Sequence, residues 1–431
     1  MKYKKYSSYK DSGIEWLGEI PCDWNLVKLK YLVSITTGNK DTENKEQDGK
    51  YPFFVRSKNV ERINSYSYDG EAILTAGDGD IGKIFHYING KFDYHQRVYM
   101  FYKFKNILVK FIYFYLQENL HKEVIKLSAK TTVDSLRLPM LQDFIISVPA
   151  VQEQQQIANF LDKATAKIDT LIEKQTKQIG LLKEKRQAVI SHAVTKGINP
   201  NVSMKNSGVE WLGQIPEHWI VSKFGFIKTV LTDYTANGSF ADLAKNVKYK
   251  NEESYARLVR LTDLRTNLEN TDGVWIDESA YNYLKKSSLY GGEFLLANVG
   301  AYAGLFYQMP YINKPASLAP NMFMAKFNNT KVSEHFMSYV AKSESAYSQL
   351  KLKATASSAQ PKLNKDDFKS IVFAYPCLLE QQQIANYLDD KISKIDILIE
   401  KSNKSIELLK EKRTAIISAA VTGKIDVREK V

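Results

Sequence analysis

The segment Gly77–Lys83 comes closest in this chain to a known ligand-binding motif. It has the sequence GDGDIGK, which satisfies the dinucleotide-binding pattern G-x-G-x-x-G and nearly satisfies the P-loop pattern. A phosphate-binding loop opens a helix, however, whereas Lys83–Ile88 is predicted to be a strand. Ile84 stands where a P-loop has its magnesium-binding Ser or Thr, and Asp78 and Asp80 would repel phosphate. The pattern therefore indicates a glycine-rich turn between strands.

Other catalytic arrangements are also missing from the sequence. Asp367-Phe368-Lys369 matches only the end of a nuclease-like carboxylate–lysine motif, and no matching upstream acid is apparent. The six histidines lack metal-ligand spacing, and two cysteines are too few for a zinc cluster or a disulfide framework. The amino-methyltransferase motif, Asn or Asp followed by Pro-Pro and an aromatic residue, is absent. We therefore expect no catalytic residue and no metal site.

Clusters of basic and amide side chains recur at comparable places in the two halves of the chain. Phe54–Asn59 occupies a predicted strand and its end, and Leu258–Asp263 is its counterpart. Arg can bind guanine bidentately and Asn can bind adenine, while Lys, Ser and Thr suit phosphates. The predicted nucleic-acid contacts are Arg56, Ser57, Lys58, Asn59, Lys83, Arg97, Lys130, Thr131 and Thr132 in the first half, and Arg257, Arg260, Thr262, Asn298, Ser358 and Gln360 in the second.

The elements that must position these residues belong to an internal repeat. Ser12–Pro21 (SGIEWLGEIP) recurs as Ser207–Pro216 (SGVEWLGQIP). A second segment beginning at Glu153 (EQQQIANFLD) recurs from Glu380 (EQQQIANYLD), and 27 of the 39 positions from Glu153 to Ser191 are identical in the two copies. The sequences between these segments share little, which indicates one frame carrying two different modules.

The second repeated segment has apolar residues at helical spacing in both copies. Each predicted helix spans about 40 residues, or roughly 60 Å. Its apolar stripe must be buried, and the simplest partner is the other copy, in an antiparallel intramolecular coiled coil around a pseudo-two-fold axis. The predicted division is a module at residues 1–150, a helix at 151–197, a second module at 198–377, a second helix at 378–423 and a tail at 424–431.

Both modules are predicted to be mixed helix and sheet, of the α/β (α+β) class. The predicted strands are 51–55, 72–76, 83–88 and 97–104 in the first module, and 257–261, 294–297, 304–308 and 322–327 in the second. One helix follows the strands in each module, at 109–117 and at 332–342.

The composition is that of an ordinary globular protein, with 44% hydrophobic and 25% charged residues among 431. No apolar run reaches the ~18–20 residues needed to cross a bilayer, and the first ten residues contain no signal-peptide apolar region. We therefore expect a cytoplasmic protein without membrane contact. The net charge of +12 is spread along the chain, which favours a polyanionic partner without establishing one.

The order of these features resembles a known family. Each module opens on a W-x-x-x-x-P-x-x-W element, formed by Trp16, Pro21 and Trp24 in the first and by Trp211, Pro216 and Trp219 in the second. Each is followed by an EQQQIA-type helix. In this arrangement, which covers nearly the whole chain, the sequence resembles the specificity subunit of type I restriction–modification enzymes.

The resemblance implies that the modules are target-recognition domains, each contacting one half of an asymmetric bipartite site in double-stranded DNA. It implies that the helices set the spacing and dock two modification subunits, which methylate adenine with S-adenosylmethionine. Separate restriction subunits would use ATP and Mg, so this chain would bind no cofactor and would not be an enzyme. The candidate docking residues are Gln154, Ile157, Leu161, Ile168, Leu182, Gln381, Ile384, Leu388, Ile395 and Leu409.

Two other interpretations stay open. A non-enzymatic coiled-coil scaffold whose modules bind proteins would show weak DNA affinity and little dependence on salt. A DNA-binding protein loses about 0.9 log units of affinity per log of salt for each phosphate contact. The chain could also be a methyltransferase by itself, which incubation with labelled S-adenosylmethionine and DNA would test.

Overall fold

A computed structural model of the chain describes residues 3–128, 135–355 and 361–428. The chain forms two compact units. The first combines the residues up to Lys177 with those from Ser402 on, and the second spans Gln178–Lys401. Each unit therefore contains one module, the beginning of one long helix and the end of the other.

The first unit combines a strand-rich module with parts of the two long helices. Its strands are β1 Tyr9–Asp11, β2 Glu19–Pro21, β3 Asn25–Lys28, β4 Ser34–Thr37, β5 Tyr51–Phe54, β6 Val60–Ile63, β7 Tyr68–Ala76, β8 Phe85–Tyr94, β9 Val98–Tyr102 and β10 Ile145–Val148. Its helices are α1 Leu29–Leu32, α2 Val109–Ser128, α3 Leu138–Gln142 and the long α4 Val151–Lys196, which continues into the second unit.

A six-stranded sheet of order β4-β9-β7-β8-β5-β6 forms the centre of the first module. Neighbouring strands are antiparallel except β5 and β8, which are parallel. Helix α2 covers this sheet, since Phe111 and Tyr115 share a fully buried cluster with Ile73 of β7 and Phe101 of β9. The predicted turn at Gly77–Lys83 is confirmed, because it connects the antiparallel strands β7 and β8.

The second unit repeats this order with additions. Its strands are β11 Met204–Asn206, β12 Gln214–Pro216, β13 Ile220–Lys223, β14 Lys228–Asp233, β15 Ala256–Val259, β16 Val274–Ile276, β17 Ser288–Leu289, β18 Phe294–Ala297, β19 Phe306–Gln308, β20 Ala316–Leu318, β21 Met322–Phe327 and β22 Val372–Tyr375. Its helices are α5 Phe224–Ile227, α6 Phe240–Asn246, α7 Leu261–Arg265, α8 Glu278–Tyr283, α9 Glu334–Ala341, α10 Glu344–Thr355, α11 Lys365–Lys369 and α12 Leu378–Val421.

In the second module the central sheet is divided into two four-stranded sheets, β14-β21-β18-β19 and β16-β15-β20-β17. Strand β15 is parallel to β20, as β5 is to β8 in the first module. Strands β19 and β20 thus take the places of the two ends of β8, and residues 309–315 interrupt them. The two modules therefore share one strand order despite their unlike sequences.

Within each unit, the two long helices run antiparallel. In the first unit, Trp24 donates from Nε1 to Glu153 near the start of α4 (3.3 Å) and also lies against Gly423, just after the end of α12. In the second, Trp219 donates to Glu380 near the start of α12 (3.0 Å) and lies against Gly197, just after the end of α4. One tryptophan in each unit therefore contacts the start of one helix and the end of the other.

Further pairs along the helices support this arrangement in both units. Arg413 Nε donates to Asp169 at 2.9 Å in the first unit, and Arg186 Nε donates to Asp396 at 2.9 Å in the second. These are the same two residues of the repeat, with the helices exchanged. The predicted fold class is confirmed: two repeated modules of mixed helix and sheet, joined to antiparallel helices. The predicted domain boundaries stay a prediction.

Candidate nucleic-acid interface

Asp78 brings two predicted arginines of the first module together. Arg56 follows β5, Arg97 precedes β9, and Asp78 lies in the turn after β7. The Nη1 atom of Arg56 is 3.1 Å from each carboxylate oxygen of Asp78, and Nη1 of Arg97 is 2.9 Å from Oδ2. Three separate loops thus meet at one carboxylate.

The two arginine side chains stay accessible although they share this anchor. The Arg97 side chain is 62% exposed, whereas that of Asp78 is only 21% exposed. Partial burial opposes ionisation of Asp78, but the hydrogen bonds from Arg97 and Arg56 outweigh it and hold the pKa of Asp78 below its ordinary value. The carboxylate is therefore a fixed negative charge that orients two exposed guanidinium groups.

A cleft of about 350 Å³ lies beside this cluster, and we call it the first cleft. It is lined by Thr37, Gly77, Asp78, Gln96, Arg97, Tyr99, Ser135 and Leu136. Gly77 permits a close backbone approach, since a Cβ atom there would lie 2.9 Å from the carbonyl oxygen of Arg97. The first cleft is thus formed by the turn after β7, the start of β9 and the segment that precedes α3.

The other predicted residues of the first module that the structure describes lie outside the first cleft. Lys58 and Asn59 are exposed, and Ser57 donates from Oγ to the carbonyl of Asn59 at 3.0 Å. Lys83 is exposed and lies 3.7 Å from Asp80. These residues belong to the loops that carry Arg56 and Asp78, but they do not bond to the arginine cluster.

In the second module, the predicted arginines are held by a buried carboxylate, Asp263. Arg260 donates from Nη2 to Asp263 at 2.9 Å, and Arg257 does so at 3.3 Å. Arg257 also donates to Asn270 at 2.6 Å and to the carbonyl of Leu268 at 2.7 Å, and its side chain is only 11% exposed. Both terminal nitrogens of Arg257 therefore donate within the module, while its buried Nε atom has no hydrogen-bond partner among the described residues.

Arg260 is not the structural counterpart of Arg56. His95 donates its backbone N–H to Phe54 at the end of β5, and Ala319 donates its own to Val259 at the end of β15. This bonding makes Phe54 equivalent to Val259, one residue away from the correspondence that the sequence suggests. Arg56 consequently corresponds to Leu261, and Thr262 lies exposed in the short helix α7.

A second cleft, of about 440 Å³, occupies the same place in the second module. Its lining residues are Asp233, Tyr234, Thr235, Phe240, Asn298, Val299, Pro320, Asn321, Met322, Phe323, Lys362, Leu363, Asn364 and Lys365. The predicted contact Asn298 lines it, and its Oδ1 atom is buried with no hydrogen-bond partner among the described residues. Lys365 at its edge pairs with Asp233 at 2.9 Å.

Backbone hydrogen bonds show that the two clefts are equivalent. Gly77 donates to the carbonyl of Arg97 at 2.8 Å in the first, and Asn298 donates to that of Asn321 at 3.2 Å in the second. The next bonds also correspond, from Leu136 to Gly77 at 2.7 Å and from Leu363 to Asn298 at 2.8 Å. Four pairs of residues are therefore equivalent, the first of each pair in the first cleft and the second in the second cleft. They are Gly77 with Asn298, Asp78 with Val299, Arg97 with Asn321, and Ser135 with Lys362.

Five predicted contacts lie outside the described residues, so their geometry is not stated. They are Lys130, Thr131, Thr132, Ser358 and Gln360. In the sequence, Thr132 comes shortly before Ser135 of the first cleft, and Gln360 comes shortly before Lys362 of the second.

Most of the candidate docking residues on the long helices are buried within their own units. In the first unit Ile157, Leu161 and Ile168 share one cluster with Ile417 of the antiparallel helix segment. In the second, Ile384 and Leu388 pack in another cluster, and Ile395 is also buried. Leu182 and Leu409 are half-buried. The buried side chains stabilise each unit internally and are not available to a partner.

The buried glutamines of the repeated helix motif connect each helix to its module. Gln154 donates to the carbonyl of Pro149 at 2.9 Å and accepts from the N–H of Leu108 at 2.7 Å. Gln381 donates to Pro376 at 2.9 Å and accepts from Ser333 at 2.8 Å. Because these contacts are the same in both units, the repeated motif is explained by internal structure.

A family model for the type I restriction modification DNA specificity domain matches residues 21–181 and again residues 237–408. These two matches together cover more than half of the chain. The chain belongs to this family. Each match to the specificity domain contains one of the two equivalent clefts. Only Asp233, Tyr234 and Thr235 of the second cleft lie before the start of the second match.

Two type I restriction enzyme specificity subunits are similar to this chain over most of their length. The EcoDI specificity subunit of Escherichia coli is 24% identical over 95% of this chain and 90% of its own. The MjaVIII specificity subunit of Methanocaldococcus jannaschii is 24% identical over 99% and 98%, respectively.

Solved structures show the same fold. A chain from a structure describing assembly and conformational transition of a type I restriction–modification system superposes with a TM-score of 0.68, at 13% identity, over 93% of this chain and 98% of its own. The HsdS subunit of Thermoanaerobacter tengcongensis gives 0.50 at 13% identity, over 94% and 98%.

Sequence reasoning missed several residues of this specificity-domain chain. Asp78 was interpreted only as repelling phosphate, although its place in a turn between two arginine-bearing loops could have suggested an anchor. Asn321 directly precedes the predicted strand 322–327, and Arg97 is the first residue of the predicted strand 97–104, so their similar place at the start of a strand was the available signal. No group of three or more potential metal ligands occurs among the described residues, and no helix in that part is long and apolar enough to cross a membrane.

Proposed function

We propose that this chain is the DNA-reading specificity subunit of a type I restriction–modification complex, with each module contacting one half of an asymmetric bipartite site. The observation that carries this proposal is the pair of equivalent clefts. Their backbone hydrogen bonds correspond, while Asp78 and Arg97 in one are replaced by Val299 and Asn321 in the other. Two clefts with the same backbone arrangement but different polar side chains suit two half-sites of different sequence.

The charges around the first cleft suit double-stranded DNA. Arg97, Arg56 and Lys58 are exposed in the first module, and Lys362 is exposed at the second cleft. Basic side chains of this kind contact phosphates and position the protein, while Arg and Asn side chains also contact base edges. The net charge of +12 is consistent with a polyanionic partner.

We further propose that the long helices set the distance between the half-sites and dock two modification subunits. Leucines at equivalent positions of the two copies are exposed: Leu171 and Leu398, and Leu181 and Leu408. Leucines that are exposed at the same positions of both copies suit a surface that contacts a partner. Two copies of such a surface suit two identical partners.

S-adenosylmethionine, ATP and Mg belong to the partner subunits in this proposal. The chain itself contributes the choice of sequence. It therefore acts as a non-catalytic subunit of a complex that modifies adenine and cleaves DNA, and its place is with chromosomal DNA in the cytoplasm.

Footprinting of the chain assembled with its modification subunits tests this proposal. We expect two protected blocks separated by an unprotected gap, with an affinity that falls steeply as salt rises. One continuous block would contradict the bipartite site. Weak binding without salt dependence would instead favour a scaffold whose modules bind proteins.

A further inference from the structure

The two equivalent clefts differ in a way that assigns a base to each. Resting on the proposed function, we propose that Arg97 in the first cleft recognises a guanine in one half-site, and that Asn321 in the second cleft recognises an adenine at the corresponding place of the other. Equivalent backbone positions would thus read different bases.

Arg97 has the geometry of a guanine-binding residue. Among the described residues, its side chain has one hydrogen-bonded anchor, the contact of Nη1 with Asp78 at 2.9 Å. The side chain is 62% exposed, so most of it stays accessible to a ligand. Guanine presents two acceptors, O6 and N7, on its major-groove edge, and an arginine fork matches both. Anchoring by Asp78 reduces the conformational freedom that the side chain loses on binding.

Asn321 occupies the position of Arg97 with different chemistry. It is exposed, and its backbone has a φ of +64°, a left-handed conformation that asparagine tolerates better than most residues. Its amide offers a donor and an acceptor side by side, which match N7 and N6 of adenine. The second cleft also contains the amides of Asn298 and Asn364, while its lining contains no arginine among the described residues.

The loss of Asp78 from the second cleft agrees with this difference. An arginine at the first cleft needs a carboxylate to orient it, and Asp78 supplies one. The equivalent Val299 cannot orient a guanidinium group, and Asn321 needs no counter-charge. The residue that contacts the base and the residue beside it therefore change together between the modules.

The experiment uses the chain assembled with its modification subunits and a library of duplexes in which both half-sites are randomised. Sequences bound by the wild-type complex are compared with those bound by Arg97→Ala, Arg97→Lys and Asn321→Ala complexes. Lys91→Ala, which removes an exposed positive charge from β8 outside the clefts, is the matched control. Affinity is measured for each complex over a series of salt concentrations.

We expect Arg97→Ala to weaken discrimination at one guanine of one half-site by roughly 5- to 150-fold, and to leave the other half-site unchanged. Arg97→Lys keeps the positive charge but not the planar guanidinium group. It should therefore lose the preference for guanine while the salt dependence of binding stays the same. Asn321→Ala should weaken the preference for adenine at one position of the opposite half-site only. Lys91→Ala should leave both half-sites unchanged.

The proposal is overturned if Arg97→Ala lowers affinity equally for all sequences and reduces the salt slope by about one, because that result marks a phosphate contact. It is also overturned if the relaxed position is not guanine for Arg97 or not adenine for Asn321. In either case the wild-type complex still selects a bipartite site. If the wild-type complex showed no sequence preference at all, that result would instead contradict the proposed function itself.

Discussion

At the scale of single residues, two carboxylates organise the arginines of the modules in different ways. Asp78 is partly exposed and orients Arg56 and Arg97 toward solvent. Asp263 is completely buried and accepts hydrogen bonds from Arg260 and Arg257 inside the second module. The first carboxylate serves an exposed surface, whereas the second stabilises the loop after β15.

We predict that Asp263→Ala destabilises the second unit by about 3–5 kcal/mol, because it leaves a partly buried arginine pair without its counter-charge. Thermal or chemical unfolding of the purified chain measures the effect. Asp272→Ala is the matched control, since Asp272 also lies near Arg260 but its side chain is 77% exposed. The control should lose no more than about 1 kcal/mol. Equal losses in the two variants would show that burial of Asp263 contributes nothing.

The same carboxylate predicts how stability depends on pH. Burial opposes ionisation of Asp263, but the hydrogen bonds from Arg260 and Asn270 prevail and lower its pKa below the ordinary value. Because the unfolded chain then binds a proton more readily, this contribution is complete above about pH 4 and is lost as pH falls through the folded-state pKa. The stability difference between wild type and Asp263→Asn should therefore shrink below about pH 4. A difference that stays constant in acid would contradict this account.

Residue types could be predicted from the sequence better than their partners. Arg56 and Arg97 were each named as a candidate DNA contact, which stays a prediction, whereas their meeting at Asp78 was not predicted. Arg260 was matched to Arg56, but the register of β15 shifts the equivalence by one residue. Sequence periodicity indicates that a strand exists, whereas register depends on pairing with β20, which lies far along the chain.

At the scale of elements, the repeated helix motif is explained by what each of its positions contacts. In EQQQIA the first glutamine, Gln381, is buried and bonded to the module, while the next, Gln382, is exposed and bonds only to Asn386 of its own helix among the described residues. Glu380 accepts from Trp219. The motif therefore combines a helix start with a connection to the module.

We predict that Gln381→Ala lowers the free energy of unfolding of the second unit by about 1–3 kcal/mol. The substitution leaves the N–H of Ser333 and the carbonyls of Lys331 and Pro376 without their buried partner. Gln382→Ala provides the control one position further along the same helix, with an expected change within about 0.5 kcal/mol. Thermal unfolding of the two variants under identical conditions decides between them, and a similar shift in both would refute the connecting role.

Elements with strong local patterns were predicted well. Phe294–Ala297 and Met322–Phe327 have the predicted bounds, and the long helix α4 begins at Val151 as expected. The division of the second central sheet was not predicted, because it arises where residues 309–315 interrupt the counterpart of β8. Such a division depends on contacts between distant strands, and these have no local signature in the sequence.

At the scale of the whole molecule, duplication provides the same exposed leucines on both long helices. The buried stripes of α4 and α12 pack inside each unit, whereas Leu181 and Leu408 are 57% and 52% exposed at equivalent positions. A specificity subunit with two copies of one exposed surface suits two identical modification subunits. The module surfaces, in contrast, differ from each other at the clefts.

We predict that Leu181→Glu together with Leu408→Glu weakens assembly with the modification subunits at least tenfold while leaving the folded chain intact. A charge placed in an apolar contact is costly to bury. Thr176→Glu with Asn403→Glu is the control, since both residues are exposed on the same helices but differ between the copies. Assembly is measured by titrating the modification subunit against labelled chain. Unchanged assembly in the leucine variant would exclude this surface from docking.

The central claim is that two modules of the same fold contact two different DNA half-sites. It is tested most directly by sequencing methylated adenines in DNA modified by the complete complex. Our account predicts a single recognition site made of two short blocks of unequal sequence, separated by a gap of fixed length in which any base is tolerated. A continuous site, two identical half-sites, or methylation without sequence preference would contradict it.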